Sequence, residues 1–280
     1  MTSPTMYLPS VFTAGSGGGN PAPIWLDADS MSSALMLAET KAQGFESAYV
    51  LRPESSENHL RLRFFVPEHE MSMCGHATIG ALWILREIGR LPRVEVLRIE
   101  TPSGLVTAKV SRAPEAISIS QPWGEVQVLS DTNLQDIARV LQIAPGTIGF
   151  VANAKTSRVK TVVELKSVAD LQNLKPDWAA IGPLCQKLET TGLYPFAKGD
   201  APWLFHARQF PNNSGYPEDA ATGIAAAALA CALSQSSSLL ADSGLVRVRQ
   251  GETMGRPSEI GVYINASEKT CWISGICTLD

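Results

Sequence analysis

The sequence predicts an α+β protein made of two copies of one unit, and three observations carry that reading. Short runs that alternate polar and apolar residues outnumber helical segments, as expected for strands with one buried face. The helical segments are interspersed irregularly and do not form a regular βαβ series. The third observation is an internal repeat: setting Pro67 on Pro211, a shift of 144 residues, places Ala77-Thr78 on Ala221-Thr222. Each half then reads as strand, proline turn, irregular loop, Ala-Thr and a helix of small residues.

In chain order, the strand candidates begin with "SAYVL", "LRLRFFV", "EVLRIET", "LVTAKVS" and "AISIS". "RVKTVVEL", "LVRVRQG", "EIGVYIN" and "TCWISGI" follow in the second half. The first helix is expected in "DSMSSALMLAETKAQG", which opens on Asp and Ser caps and closes on Gly44. "HATIGALWILREIGR" and "AATGIAAAALACALSQ" are the two small-residue helices, and "DTNLQDIARVLQI" and "VADLQNLKPDWAAIGPLCQKLE" complete the set. A helix apolar on all sides is buried within its domain, and small side chains let strands wrap closely around it. Its first amides are unpaired and carry the positive end of the helix dipole, a setting for an anionic group.

A length of 280 residues suits two domains. The expected division is 1–116 and 117–269, with a strand at about 270–280 returning to the first. The net charge of −4 and the absence of a long Lys/Arg cluster exclude nucleic acid as a partner. The N-terminus lacks a basic segment followed by an apolar run, so no signal peptide is expected. The longest apolar run, Ile224 to Leu233, is too short to span a bilayer, so no membrane is expected as a partner. Cysteines 74, 185, 231, 271 and 277 are scattered and odd in number. They fit free thiols in a reducing cytoplasm and no structural zinc site.

Cys74, Gly75 and His76 open the first small-residue helix, and Glu218 and Asp219 hold the corresponding place in the second. Asp219 alone reads equally as a helix cap, and His76 alone as a histidine bonded to loop backbone. Together, at equivalent helix starts, they point to a shared site. Glu46 lies between a glycine turn and a strand. "GSGGGNP" at 15 to 21 has a phosphate loop's glycine content but not its spacing, and reads as a flexible loop at a cleft mouth.

These pieces resemble the phenazine-biosynthesis PhzF-like proteins, which share the diaminopimelate-epimerase fold. The matching stretches are "VFTAGSGGGNPAPIWLDAD", "ESAYVL", "RLRFFVPEHEMSMCGHATIGA", "EDAATGIAA" and "GETMGRPSEIGVYI". The resemblance implies two similar domains, each a barrel-like β-sheet wrapped around a central helix, with the active site in the cleft between them. It implies an isomerase that moves a proton within a small carboxylated cyclic or unsaturated substrate, with no cofactor and no metal. Glu46 is then the acid/base, and His76 and Asp219 hold and polarise the substrate. Asn20, Gly75, Thr222, Gly223 and Ile224 are the expected substrate-binding positions, with the backbone near Gly223 taking the carboxylate. Ile224 stands where the family usually has serine, and Gly44-Phe45 where it has Leu-Ser, which implies a larger and more apolar site. Related epimerases use two opposed cysteines, but the second half offers only Glu218, Asp219 or Thr222 opposite Cys74. Cys74 is therefore expected to be a packing residue. An epimerase using Cys74 and a non-catalytic binding protein are the alternatives, and a cytoplasmic homodimer is the expected assembly.

Overall fold

The computed structural model describes residues 3–110, 117–212, 214–236 and 243–279, the last residue of 214–236 by its backbone alone. Two compact units account for the chain: Met1–Ser120 with Ile273–Asp280, and Gln121–Trp272. The division expected after residue 116 lies at the end of a stretch outside the described residues.

Unit 1 begins with β1 (Thr5–Tyr7), β2 (Pro9–Val11), β3 (Asn20–Pro21), β4 (Ile24–Leu26), α1 (Ser33–Gln43) and β5 (Ser47–Leu51). It continues with β6 (Leu60–Phe65), β7 (Glu70–Met71), α2 (Gly75–Glu87), β8 (Val96–Thr101), β9 (Gly104–Val110) and β10 (Ile117–Gln121). Unit 2 opens with β11 (Glu125–Val128), α3 (Asp131–Leu141), β12 (Ile148–Lys155), β13 (Val159–Leu165), α4 (Val168–Gln172) and α5 (Trp178–Lys187). Then come β14 (Gly192–Lys198), β15 (Leu204–Ala207), β16 (Phe210–Pro211), α6 (Gly223–Ser236), β17 (Ser243–Gln250), β18 (Ser258–Asn265) and β19 (Thr270–Ser274). The last strand, β20 (Cys277–Leu279), pairs antiparallel with β2 of unit 1, Val11 opposite Cys277.

The repeat read from the sequence is a repeat of topology. In unit 1, β4 runs parallel to β5, β5 antiparallel to β6, β6 parallel to β8 and β8 antiparallel to β9. In unit 2, β13, β14, β15, β17 and β18 follow in the same sequence of parallel and antiparallel pairs. α1 sits between the first two strands of the set in one unit, and α4 with α5 in the other. The single helical segment expected over 168–189 is thus two helices, interrupted at Leu174-Lys175-Pro176 because a proline disfavours helical backbone in the residue before it.

The small-residue helices occupy the inner face of each sheet. Gly75 to Leu82 of α2 are all buried, and α2 packs on β2, β4 and β5. A Cβ on Gly80 would lie 3.1 Å from Val11 Cγ2 and 3.4 Å from Pro9 Cγ, so the strands approach as closely as a bare glycine permits. In unit 2, Ala225 to Ala228, Ala230 and Ala232 are fully buried against β11, β12, β13 and β18. The outer face of unit 2 is covered by α3 and α5, whose Ile137, Leu141, Ile181 and Leu184 form a core with Val163, Leu193 and Phe210. The outer face of unit 1 has a smaller cluster of Met31, Met36, Tyr49 and Phe65 under α1.

Candidate functional site

Glu46 is placed by what surrounds it in sequence. Gly44 ends α1 with φ 74°, in the left-handed region that favours glycine, and its amide donates to Thr40 O at 3.0 Å. Three residues later the chain enters β5, where Ser47 to Val50 are all buried. Tyr49 ties that strand to α1: its hydroxyl donates to Met36 O at 2.6 Å and lies 2.9 Å from Thr40 Oγ1. Its ring stacks on Trp25 at 6.2 Å and meets Phe65 edge-on at 5.5 Å. Burial pushes the phenol up to about 12, so it stays a neutral strut. Glu46 is thus held between a capped helix end and a buried strand, with its side chain only 17% exposed.

Cys74 is the N-cap of α2, with extended backbone and no side-chain bond to the first turn. Its carbonyl accepts instead from Thr78 N at 3.1 Å and Thr78 Oγ1 at 2.7 Å, which explains the threonine two residues after His76. The thiol is thereby free to face Glu46: Cys74 Sγ donates to Glu46 Oε2 across 3.1 Å. His76 Nδ1 lies 3.3 Å from the same sulfur and 3.7 Å from Glu46 Oε2. The expectation that Cys74 merely fills space is therefore revised. Its sulfur is one corner of a buried Glu–Cys–His triangle.

Asn20 is buried in β3, opposite Val11 of the strand on which α2 packs. The glycine loop before it is knit, not loose. Gly18 N donates to Gly15 O at 3.0 Å, and Thr13 Oγ1 donates to Gly15 O at 2.8 Å. Gly19, at φ 88°, brings its Cα so close to the chain that a Cβ would stand 3.0 Å from Val11 O. Gly75 is the first helical residue of α2, buried beside the cluster.

In unit 2 the expected site residues form their own group. α6 starts at Gly223, and Thr222 O accepts from Ala225 N and Ala226 N, so Thr222 is its cap residue. Asp219 stands three residues ahead of that cap, not at a helix start. Its amide donates to Gln209 O at 3.1 Å, and Oδ2 accepts a short hydrogen bond from Thr222 Oγ1. Gln250 fastens this turn: Nε2 donates to Asp219 O at 2.7 Å and to Thr222 Oγ1 at 3.2 Å. Its Oε1 accepts from Thr222 N at 3.2 Å and from the hydroxyl of Tyr194 at 2.9 Å. Complete burial, and secondarily the Asp219 charge, hold that phenol well above its ordinary pKa. Ile224 is buried in the first turn of α6.

The 144-residue register pairs Cys74 with Glu218, and the structure corrects it locally. It holds for the strands, since β6 and β15 begin at Leu60 and Leu204. At the helices the caps are Cys74 and Thr222, 148 apart, so four more residues precede the second helix. Glu218 serves another purpose. It forms a two-pronged ion pair with buried Arg208 at 2.8 and 2.7 Å, and Arg208 also donates to Leu171 O and Leu174 O.

The sequence profile of the family described as "Phenazine biosynthesis-like protein" matches residues 10–277. The chain belongs to that family. An "Uncharacterized isomerase YfhB" of Bacillus subtilis is 27% identical over 272 residues, covering 91% of this chain and 88% of that one. The crystal structure of a Bacillus anthracis phenazine biosynthesis protein of the PhzF family superposes with a TM-score of 0.88 at 22% identity. That superposition covers 99% of this chain and 97% of the other. A hydroxyproline epimerase from Agrobacterium vitis shares the fold at 12% identity, with a TM-score of 0.61 over 98% of this chain and 88% of that one. The chain is thus a PhzF-family member of an isomerase family with the diaminopimelate-epimerase-like fold.

Within this PhzF-family chain, the cap-to-cap register shows how differently the halves are equipped. Thr222 stands for Cys74 and Ile224 for His76. Thr191, the residue before β14, stands for Glu46, the residue before β5. Thr191 Oγ1 is committed to Val159 O at 2.7 Å. The corresponding positions of unit 2 therefore hold no titratable side chain. Sequence reading missed Gln250 and Tyr194, because a glutamine ending a strand and a tyrosine inside one carry no motif. It also missed Gln209, a 1% exposed side chain whose amide has no hydrogen-bond partner among the described residues. Gly192 makes room for it, since a Cβ there would come 2.3 Å from Gln209 Nε2. Among the described residues no helix is long and apolar enough to cross a membrane.

Proposed function

We propose that this chain is a proton-shifting isomerase of a small carboxylated cyclic or unsaturated substrate, with Glu46 as its single acid/base. The observation that carries the reading is the Cys74–Glu46 contact of 3.1 Å within a buried cluster that includes His76. A thiol donating to a carboxylate oxygen orients the group toward a substrate C–H. Burial keeps water from competing for the proton, and an oriented carboxylate can carry it between two carbons on one face. His76 follows Cys74 at the amino end of α2, where unpaired amides favour developing negative charge. Asp219, oriented by Thr222 and Gln250, is suited to accept a hydrogen bond from a substrate amine or hydroxyl. The amides of Gly223 and Ile224 open α6 and take the substrate carboxylate. Asn20 and Gly75 complete the binding positions, and the active assembly is a cytoplasmic homodimer working without cofactor.

Glu46→Gln is the direct test. The amide keeps the shape but cannot act as a base, and a positioned general base contributes ~10²–10⁴-fold. Turnover of any substrate found by screening small carboxylates for C–H exchange in D₂O should fall by at least about a hundredfold. Ligand binding and thermal midpoint should stay near wild type. Retention of more than about a tenth of wild-type exchange would remove Glu46 from the role.

The second reading, an epimerase with Cys74 as the base, draws on the same contact because the sulfur too faces the cluster. The two are separated by Cys74→Ser, which keeps a donor to Glu46 while removing the thiol. A thiol base loses orders of magnitude on that change, and a positioning thiol does not.

A further inference from the structure

We infer that the Glu46–Cys74–His76 triangle is also a binding site for a thiophilic divalent cation of the Zn²⁺ class, and that its occupation switches the enzyme off. The second half of this statement rests on Glu46 being the base; the first does not. The geometry decides the case. A tetrahedral zinc with sulfur at ~2.3 Å and nitrogen and oxygen at ~2.0 Å sets its donor atoms about 3.5 Å apart for S···O and S···N and about 3.3 Å apart for N···O. The structure holds Cys74 Sγ and Glu46 Oε2 at 3.1 Å, Cys74 Sγ and His76 Nδ1 at 3.3 Å, and His76 Nδ1 and Glu46 Oε2 at 3.7 Å. Each edge needs a change of only about 0.4 Å or less. Among the described residues this is the only group of three His, Cys, Asp or Glu side chains close enough to hold one ion.

The donor set selects the ion. One thiolate, one imidazole and one carboxylate form a mixed soft and borderline set that suits Zn²⁺ and its Irving–Williams neighbours and not Mg²⁺ or Ca²⁺, which require oxygen ligands. The position of the sulfur favours ligation too. Cys74 is the N-cap of α2 and so sits at the positive end of the helix, a position that favours the thiolate a metal requires. On coordination the metal replaces the thiol's hydrogen, and that proton passes to water. Glu46 accepts from that thiol in the metal-free protein; bound to the cation, the whole carboxylate loses basicity and ceases to be available to a substrate C–H. With three protein ligands the fourth tetrahedral position stays open, for water or for a substrate carboxylate. The site is small, partly enclosed and rigid: Cys74 and His76 are each 4% exposed and share one helix turn.

The test uses the whole protein, reduced and metal-free, titrated with Co²⁺ as a spectroscopic substitute and then with Zn²⁺ in competition with a chromophoric chelator. The expected result is one equivalent of Co²⁺ with a sulfur-to-cobalt charge-transfer band, displaced by Zn²⁺ and unaffected by millimolar Mg²⁺. Cys74→Ser should lose that band and bind Zn²⁺ about a hundredfold or more weakly, and His76→Gln should weaken Zn²⁺ binding while keeping a wild-type thermal midpoint. Cys185, Cys231, Cys271 and Cys277 serve as internal controls, because the band must not survive in Cys74→Ser. Absence of a thiolate band at saturating Co²⁺, or its persistence in Cys74→Ser, overturns the site. If Zn²⁺ binds as described and C–H exchange continues undiminished, the metal site stands and the assignment of Glu46 as base falls.

Discussion

Cys74 joins three tasks in one side chain: it caps α2, offers its carbonyl to Thr78, and turns its thiol to Glu46. None requires a second thiol elsewhere, so a helix-cap cysteine fits the proposed carboxylate base. An S–H group is a weak donor, so the contact with Glu46 is worth about 1 kcal/mol, below the ~1.5–3 kcal/mol of stronger donors to charged groups. Cys74→Ala should therefore slow turnover by about fivefold to tenfold, and Cys74→Ser should recover most of that loss. Steady-state rates of both variants, read alongside thermal midpoints, make the check; a serine variant as slow as Glu46→Gln would point to a thiol base instead. Among the described residues no other cysteine belongs to a Glu–His cluster of this kind. Burial pushes Cys185 up to about 11 and Cys277 up to about 12, so both are thiols at neutral pH and should resist alkylation in the native protein.

At the scale of elements, the turn after β17 governs the Asp219 group. Gly251, at φ 76°, follows Gln250 directly, and a Cβ there would lie 2.3 Å from Arg256 O and 2.7 Å from Ala220 O. Both are backbone atoms, and Ala220 is the neighbour of Asp219, so the added methyl must push the Asp219 turn away from Gln250. Gly251→Ala should cost about 2–4 kcal/mol, combining a left-handed backbone with a backbone clash. Substrate-analogue affinity should fall along with the melting temperature, while the Co²⁺ signature of unit 1 remains. Unchanged analogue affinity would show that the turn does not position Asp219. Much of this level was legible in the sequence, because alternation marks strands such as "LVRVRQ" and small residues mark α2 and α6. The strands that were not legible lack that signal for physical reasons. β14 is buried on nearly every side chain and contains Pro195, so it neither alternates nor avoids a strand breaker. β12 carries an irregularity between Ile148 and Val151 that shifts its period. The Glu46–Cys74 contact was hidden for another reason: the two residues are 28 apart, and only the pairing of β5 with its neighbours and the burial of α2 bring them together.

At the scale of the whole molecule, a duplicated topology carries an unduplicated chemistry. Where unit 1 has Glu46, Cys74 and His76, the matching places in unit 2 have Thr191, Thr222 and Ile224, none of which exchanges protons near neutral pH. A racemase that works from two faces needs a proton carrier on each. In the proposed mechanism the Glu46 half supplies the proton carrier, and the matching places of the other half hold hydrogen-bonding and apolar groups, which suits taking and returning a proton with one group. The consequence is isotopic. In the proposed mechanism Glu46, 17% exposed, holds the abstracted proton while the substrate is bound, and part of it returns before exchange with solvent. In D₂O, product formed in the first turnover should therefore contain clearly less than one solvent deuteron per molecule, with the remainder of the original hydrogen transferred internally. Two opposed carriers would instead give full incorporation, since the returning proton comes from a group equilibrated with solvent. Mass spectrometry of product from single-turnover reactions distinguishes the two. Complete deuteration at the earliest time, in wild type and in Cys74→Ser alike, would overturn the single-carrier reading.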